Sequence, residues 1–194
     1  MSIFLFLEIQ DPPVVELLSS IKDIFSEKPK TSPLHITVRG PYKNVPDEKS
    51  LERLWSIIQG EGVLLSGIRS FEFKNKKYIY IQSQSKAIRK IWWKSDYPIF
   101  KYGFNPHITL YEGTLAKANK IESFLKNEKL EFFCHNISLR LYVSGQPDLF
   151  GDVYRELHYE KVSVQTFNVL TQPYRWEPGI IERARLLKNE LNFI

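Results

Sequence analysis

The chain has 194 residues, of which 43% are hydrophobic and 25% charged, and its formal net charge is +5. This composition is typical of a globular protein and excludes long disorder, while the absence of a run of about 18 apolar residues argues against a membrane span. The single cysteine, Cys134, excludes an intramolecular disulfide framework, and the positive charge favours a polyanionic partner without establishing one.

The first two predicted elements are a strand and a helix. Ser2–Glu8 has strand character and lacks the basic leader of a signal peptide, so we expect a cytoplasmic protein. Val14–Phe25 carries apolar residues at helical spacing, and Pro12 and Pro13 suit the turn before it.

The next segments continue the alternation of strands and helices. A strand from His35 is expected to end at Gly40 and Pro41, and the side chain of Asp47 is expected to cap a helix that runs to about Gln59. The later predictions are strands at 63–73 and 78–83, a helix at 85–94, a strand at 107–111, a helix at 114–126, strand-like stretches at 130–143 and 153–170, and a helix at 178–191. Residues 144–152 predict a connection or a lid.

Two tripeptides carry the most information about function. His35-Ile36-Thr37 and His107-Ile108-Thr109 have their histidines 72 residues apart, each in an apolar context that favours a strand. Because side chains alternate along a strand, the histidine and threonine of each tripeptide face the same side. The other two histidines, His135 and His158, have no threonine two residues later. The duplication indicates two half-sites that act on one ligand.

The segments around the tripeptides resemble those of a known superfamily. His35-Ile36-Thr37-Val38-Arg39-Gly40-Pro41-Tyr42 and Asn105-Pro106-His107-Ile108-Thr109-Leu110-Tyr111 are similar to the motifs of the two-histidine (2H) phosphoesterases, which include 2′-5′ RNA ligases and RNA cyclic phosphodiesterases. The order of the predicted strands and helices indicates one α+β domain over residues 1–194 with two pseudo-symmetric lobes. The resemblance implies that these lobes present antiparallel sheets to a central cleft, with helices outside. We expect a monomer.

The same resemblance implies an activity. Members of the superfamily open 2′,3′-cyclic phosphate ends of RNA or related cyclic and 2′-5′ phosphodiesters, and some join RNA in the reverse, ATP-independent reaction. Catalysis is therefore assigned to His35, Thr37, His107 and Thr109, with no cofactor and no metal. The substrates implied are RNA ends or small cyclic or 2′-5′ nucleotides, and no membrane is involved.

Paired histidines suit this chemistry. Histidine titrates near pH 6.5, so one imidazole can take a proton from the attacking water while the other, as imidazolium, protonates the departing ribose oxygen. The threonine hydroxyls can donate hydrogen bonds to the non-bridging oxygens. We assign His107 as the base and His35 as the acid, although the reverse reaction would exchange these roles.

Three residues after the tripeptides are predicted to bind substrate. Regular alternation would place Arg39 beside Thr37, where its guanidinium can pair with phosphate, and Tyr111 beside Thr109. Tyr42 and Tyr111 can stack on a base. Further stacking candidates, for which packing in the core is the competing role, are Trp92, Trp93, Tyr102 and Phe104.

Other chemistries have weaker support in the sequence. No Cys-x-x-Cys or His-Glu-x-x-His spacing predicts a metal site. Cys134 precedes His135, but neighbouring residues of a strand point to opposite faces, so a small buried residue is the better interpretation of the cysteine. Two alternatives stay open: an RNA-binding module without efficient catalysis, and a 3′ RNA exonuclease that uses the same histidine pair.

Overall fold

The computed structural model is a mixed α+β protein with two antiparallel sheets, which confirms the predicted fold class at that level. It describes residues 2–26, 33–92, 103–144, 154–163 and 174–192. The helices are α1 (Pro12–Phe25), α2 (Glu48–Ile58), α3 (Lys86–Trp92), α4 (Leu115–Asn127) and α5 (Ile180–Leu191). The strands are β1 (Ser2–Ile9), β2 (His35–Tyr42), β3 (Val63–Phe73), β4 (Lys76–Gln84), β5 (His107–Gly113), β6 (Glu131–Cys134), β7 (Ile137–Ser144), β8 (Tyr154–Ser163) and β9 (Tyr174–Arg175).

The two motif strands occupy equivalent places in the two sheets. The first sheet has the order β2-β1-β7-β8 and the second the order β5-β4-β3-β6-β9. Among the described strands, β2 and β5 each lie at one end of their sheet. They also contact each other, α1 contacts β5, and α3 contacts β2. The two sheets therefore meet along the strands that carry the His-x-Thr motifs.

Each sheet has an apolar face in the core and a second face that carries the motif residues. Leu5 and Leu7 of β1 and Ile79 and Ile81 of β4 are fully buried on the core side. Helix α4 packs against β3, β4 and β5 in the second sheet. We call the opposite sides the first histidine face, which bears His35 and Thr37, and the second histidine face, which bears His107 and Thr109.

An extra residue follows the threonine in both motif strands. In β2, Thr37 opposes Phe6 but Arg39 opposes Leu5, so Val38 is the inserted residue. In β5, Thr109 opposes Tyr80 but Tyr111 opposes Ile79, and Leu110 takes the corresponding place. An insertion of this kind, a β-bulge, shifts the residues beyond it to the other face of the sheet.

Most predicted elements are confirmed within one to three residues. Helix α1 begins at Pro12, since proline is tolerated in the first turn, and α5 follows Gly179 as expected. Asp47 caps α2 through a 2.9 Å bond from the Ser50 amide to its Oδ1 atom. The stretch predicted at 130–143 is two strands, β6 and β7, and the short strand β9 was not predicted.

The predicted end of β2 at Gly40 and Pro41 is wrong, because the strand continues to Tyr42. Gly40 adopts a φ of 116°, a conformation that side chains rarely allow, and a Cβ atom there would lie 2.7 Å from the carbonyl oxygen of Ile3. The glycine therefore lets β2 pass close to β1 instead of leaving the sheet.

Some predictions fall partly or wholly outside the described residues. These are residues 145–152 of the connection predicted at 144–152, the end of the helix expected at 85–94, and residue 153 and the part beyond Ser163 of the 153–170 stretch. Within the described ranges, no helix is long and apolar enough to cross a membrane.

Candidate active site

His35 is fixed from two sides on the first histidine face. Its ring stacks on Phe6, with centroids 3.6 Å apart and planes 14° from parallel. Its Nδ1 atom lies 2.9 Å from the carbonyl oxygen of Pro33, two residues earlier. A carbonyl oxygen can only accept a hydrogen bond, so Nδ1 carries the proton and donates it. In the neutral ring, Nε2 is then the basic nitrogen.

His107 repeats this arrangement on the second histidine face. Its Nδ1 donates to the carbonyl oxygen of Asn105, again two residues earlier, at 2.6 Å. Its ring lies 4.5 Å from that of Tyr80 and 6.0 Å from that of Phe71, between centroids. Both imidazoles are thus held in the tautomer that makes Nε2 the basic atom, by the same local contact in two parts of the chain.

Burial favours the neutral form of both histidines. It is the main cause that lowers the pKa of His35 to about 4, and the nearby charges of Lys22 and His107 add to this, against the Pro33 carbonyl, which raises it. Burial also lowers the pKa of His107, and the Asn105 carbonyl opposes that shift. Burial thus favours the neutral form of both rings at pH 7. The contact between β2 and β5 brings the two strands that carry them together.

The threonines accompany their histidines as predicted. Thr37 and Thr109 are half-buried, and they oppose Phe6 and Tyr80 respectively on the histidine faces. Residues directly opposite in an antiparallel pair share a face of the sheet, so each hydroxyl lies on the same side as the imidazole two residues earlier. Each sheet therefore offers one imidazole and one hydroxyl to the same side.

The structure places two of the three expected substrate-binding residues away from the histidine faces. Arg39 is 1% exposed and opposes Leu5, whose side chain lies in the core. Tyr111 is 3% exposed and opposes the buried Ile79. The expected alternation is interrupted because Val38 and Leu110 are inserted after the threonines. Arg39 and Tyr111 therefore lie on the core side.

The remaining aromatic candidates are also oriented mainly by packing. Tyr42 is half-buried against the hydrophobic core and opposes Ile3. Trp92 is buried and meets Phe104 edge to face, with centroids 5.4 Å apart. Trp93 and Tyr102 lie outside the described residues.

Residues that were not predicted surround each histidine in matching positions. Glu8 opposes His35 and Gln82 opposes His107, while Phe6 and Tyr80 oppose the threonines. One strand further in, Arg140 opposes Phe6 and Arg69 opposes Tyr80. The sequence does carry a signal for the residues directly opposite the motifs. The alternating patterns Phe4-x-Phe6-x-Glu8 and Tyr78-x-Tyr80-x-Gln82 precede the two motifs.

The two arginines have different partners. Arg140 forms an ion pair with Glu160 and lies 3.6 Å from the buried carboxylate of Glu8, which also accepts a 2.5 Å hydrogen bond from the Tyr142 hydroxyl. Arg69 is exposed, and its Nε donates to the neutral side chain of Gln82 at 3.1 Å. Within the described ranges, the charge of the arginine is therefore compensated on the first histidine face and not on the second.

The geometry of the described residues also bears on metal binding and on cysteine chemistry. In the described parts of the chain, no group of three His, Cys, Asp or Glu side chains is placed to hold a metal ion. Cys134 is fully buried, and burial raises the pKa of its thiol. A protonated, buried thiol is a poor nucleophile, as the sequence indicated.

No protein-family description matches the chain, and no curated protein matches its sequence.

Proposed function

We propose that the protein is a metal-independent phosphodiesterase of the two-histidine type, which hydrolyses 2′,3′-cyclic phosphate ends of RNA or related cyclic and 2′-5′ nucleotides. The observation that carries the proposal is the repeated geometry: each histidine donates from Nδ1 to the carbonyl two residues earlier and shares a face with a threonine. On this proposal the two sheets are the two lobes of one 2H phosphoesterase-like domain.

The proposed reaction needs one base and one acid. One neutral imidazole takes a proton at Nε2 from water as the water oxygen bonds to phosphorus, and the other histidine, protonated, gives its proton to the ribose oxygen as the P–O bond breaks. Each role is typically worth about 10²–10⁴-fold in rate. The hydroxyls of Thr37 and Thr109 donate to the non-bridging oxygens, where negative charge grows in the transition state.

Burial favours His35 as the base and His107 as the acid, which is the reverse of the assignment made from the sequence. A bound phosphate anion raises the pKa of both imidazoles. Burial lowers the pKa of His35 to about 4, so this imidazole resists protonation and we assign the acid to His107. His35 then remains neutral and acts as the base.

The first experiment follows ring opening of an RNA oligonucleotide that ends in a 2′,3′-cyclic phosphate, with a chelator present. We expect turnover by the natural protein and its loss in His35→Gln and His107→Gln. A matched control is His135→Gln, since this histidine lies in the turn between β6 and β7 and not on a motif strand. Circular dichroism and thermal unfolding establish that each variant is folded.

Other outcomes would replace the proposal. Stepwise shortening of the RNA with an intact cyclic end indicates the 3′ exonuclease. Salt-sensitive binding of RNA without turnover, retained in His107→Gln, indicates a binding module. Activity that survives in either motif variant, or that the chelator removes, contradicts the paired-histidine mechanism.

A further inference from the structure

The second histidine face continues beyond His107 into an exposed row of side chains on β3. Arg69, Phe71 and Phe73 alternate along this strand and therefore share one face, which we call the β3 strip. Phe71 is 39% exposed and Phe73 56% exposed, although large apolar side chains are usually buried. A row of exposed aromatic rings next to a candidate active site indicates a surface that a ligand covers.

Phe71 connects the β3 strip to the catalytic motif. Its ring stacks on Tyr78, with centroids 5.0 Å apart and planes 8° from parallel, and it lies 6.0 Å from the ring of His107. Tyr78 thus supports one side of the phenylalanine. A nucleobase has a flat π-face and can stack on such a supported ring, and this kind of stacking tolerates any base.

Phe73 lies about 7 Å further along the strand, the spacing of two residues in an extended chain. The ammonium of Lys74 lies 5.3 Å from the centre of its ring. A cation beside an exposed ring suits a nucleotide, which carries a base and a phosphate close together. Phe71 and Phe73 therefore offer two successive stacking positions.

Arg69 supplies the charge that an RNA backbone requires. Arg69 opposes Tyr80 on the next strand, and Tyr80 opposes Thr109 on the strand after that. The backbones of Arg69 and Thr109 are therefore two strand spacings, or about 10 Å, apart. Among the described residues Arg69 has no acidic partner, whereas the equivalent Arg140 is held by Glu8 and Glu160. An uncompensated guanidinium next to exposed aromatic rings is a site for phosphate.

We propose that the β3 strip binds the last two nucleotides of a single-stranded RNA: Phe71 stacks on the terminal base, Phe73 stacks on the base before it, and Arg69 pairs with the phosphate between them. This inference rests on the proposed function and narrows its substrate from nucleotides in general to RNA ends. Among the residues that the structure describes, the first histidine face offers no equivalent uncompensated arginine, because Arg140 is paired with Glu8 and Glu160.

The test compares three cyclic phosphates as substrates: an abasic ribose 2′,3′-cyclic phosphate, a nucleoside 2′,3′-cyclic phosphate, and a trinucleotide that ends in the same nucleoside cyclic phosphate. We expect Arg69→Gln to lower kcat/KM about 10-fold or more for the trinucleotide alone. It should also reduce the slope of log KM against log salt concentration by about 0.7, the value for one lost phosphate contact on a single strand. Arg53→Gln on α2 is the matched change of charge.

The aromatic positions are tested with the same substrates. Phe71→Leu should lower kcat/KM about 10-fold for both substrates that carry a base and leave the abasic one unchanged, while Phe71→Tyr should restore it. Phe73→Leu should affect the trinucleotide alone. Equal losses on all three substrates would show that these residues only support His107, and no preference of the natural protein for the trinucleotide would overturn the proposal.

A binding experiment distinguishes failure of the proposed function from failure of the proposed RNA site. A trinucleotide with a 2′-O-methyl, 3′-phosphate end cannot be cyclised or opened, so its binding can be measured by fluorescence anisotropy without turnover. If the protein opens no cyclic phosphate but binds this trinucleotide in an Arg69- and Phe71-dependent manner, catalysis is wrong and the RNA site stands. If it opens the nucleoside cyclic phosphate but binds no trinucleotide, the RNA site is wrong and catalysis stands.

Discussion

The surroundings of His35 and His107 differ although their strands are paired in the same way. His35 stacks closely on Phe6 beside the buried carboxylate of Glu8 and the ion-paired Arg140, whereas His107 has Gln82 opposite it and the exposed Arg69 nearby. Because the strand register is repeated, each sheet presents one imidazole and one hydroxyl in similar positions. On the proposed function, the different neighbours would give the two halves different tasks: a base packed closely on Phe6 on one side, and a charged, aromatic approach for the substrate on the other.

The largest effect is expected when the two histidines are compared on substrates with different leaving groups. Both His35→Gln and His107→Gln should lower kcat/KM for a cyclic phosphate by about 10²–10⁴-fold. An aryl phosphodiester has a leaving group that needs no proton, so the variant that lacks the acid should recover most of its rate on this substrate. We expect recovery in His107→Gln and none in His35→Gln.

The opposite pattern would restore the order expected from the sequence, with His107 as the base. Equal recovery in both variants would contradict a fixed division of roles. The initial rates of 4-nitrophenol release, compared with cyclic phosphate opening by the same preparations, provide the measurement.

A second comparison concerns the backbone after the two bulges. Gly40→Ala should destabilise the protein by about 2–4 kcal/mol, because the new Cβ would lie 2.7 Å from a carbonyl oxygen and the residue has a positive φ. The position with the same offset in the second motif is Glu112, an exposed residue, so Glu112→Ala should cost less than about 1 kcal/mol. Urea unfolding measures both, and equal costs would show that β2 has no special constraint at Gly40.

The smallest predicted difference lies in the dependence of stability on pH. A histidine whose pKa is lowered by folding binds a proton more readily when unfolded, so its contribution to stability is present above about pH 6.5 and is lost as the pH falls towards 4. For His35 this amounts to at most about 3 kcal/mol. We therefore expect the free energy of unfolding to fall less between pH 6.5 and 4 in His35→Gln than in the natural protein.

His107→Gln is the comparison that sharpens this result. Burial lowers the pKa of His107 in the same direction, so this variant should also flatten the pH profile. Denaturant unfolding at half-unit pH steps separates the two profiles. Identical profiles would mean that the two imidazoles are equally buried in solution.

The local parts of the fold could be predicted because they depend on neighbours in sequence. The Asp47 cap reaches only to Ser50, and α1 follows from apolar residues at helical spacing after the two prolines of its first turn. The spacing of two residues between histidine and threonine also places both on one face wherever the strand is regular. The expectation of a lone buried Cys134 rested on the same local logic and agrees with the structure.

The positions of Arg39 and Tyr111 could not be predicted because a bulge belongs to a pair of strands. Whether β2 inserts Val38 depends on how Thr37 and Arg39 register against β1, which the sequence of β2 does not specify. One inserted residue in each motif strand, Val38 in β2 and Leu110 in β5, moved Arg39 and Tyr111 to the core side. The exposed Phe71 was missed for a related reason, since its position near His107 follows from the pairing of β3 with β4 and of β4 with β5.

By itself the sequence determined the mixed α+β class, most of the helices and strands, and the pairing of each histidine with a threonine, since these follow from side-chain spacing and short-range hydrogen bonds. Only the tertiary structure decided which charges are compensated. Glu8 meets Tyr142 across 134 residues of sequence, while Arg69 meets a neutral glutamine. Contacts at such separations depend on strand order and register, which arise when whole sheets pack and bury their apolar faces.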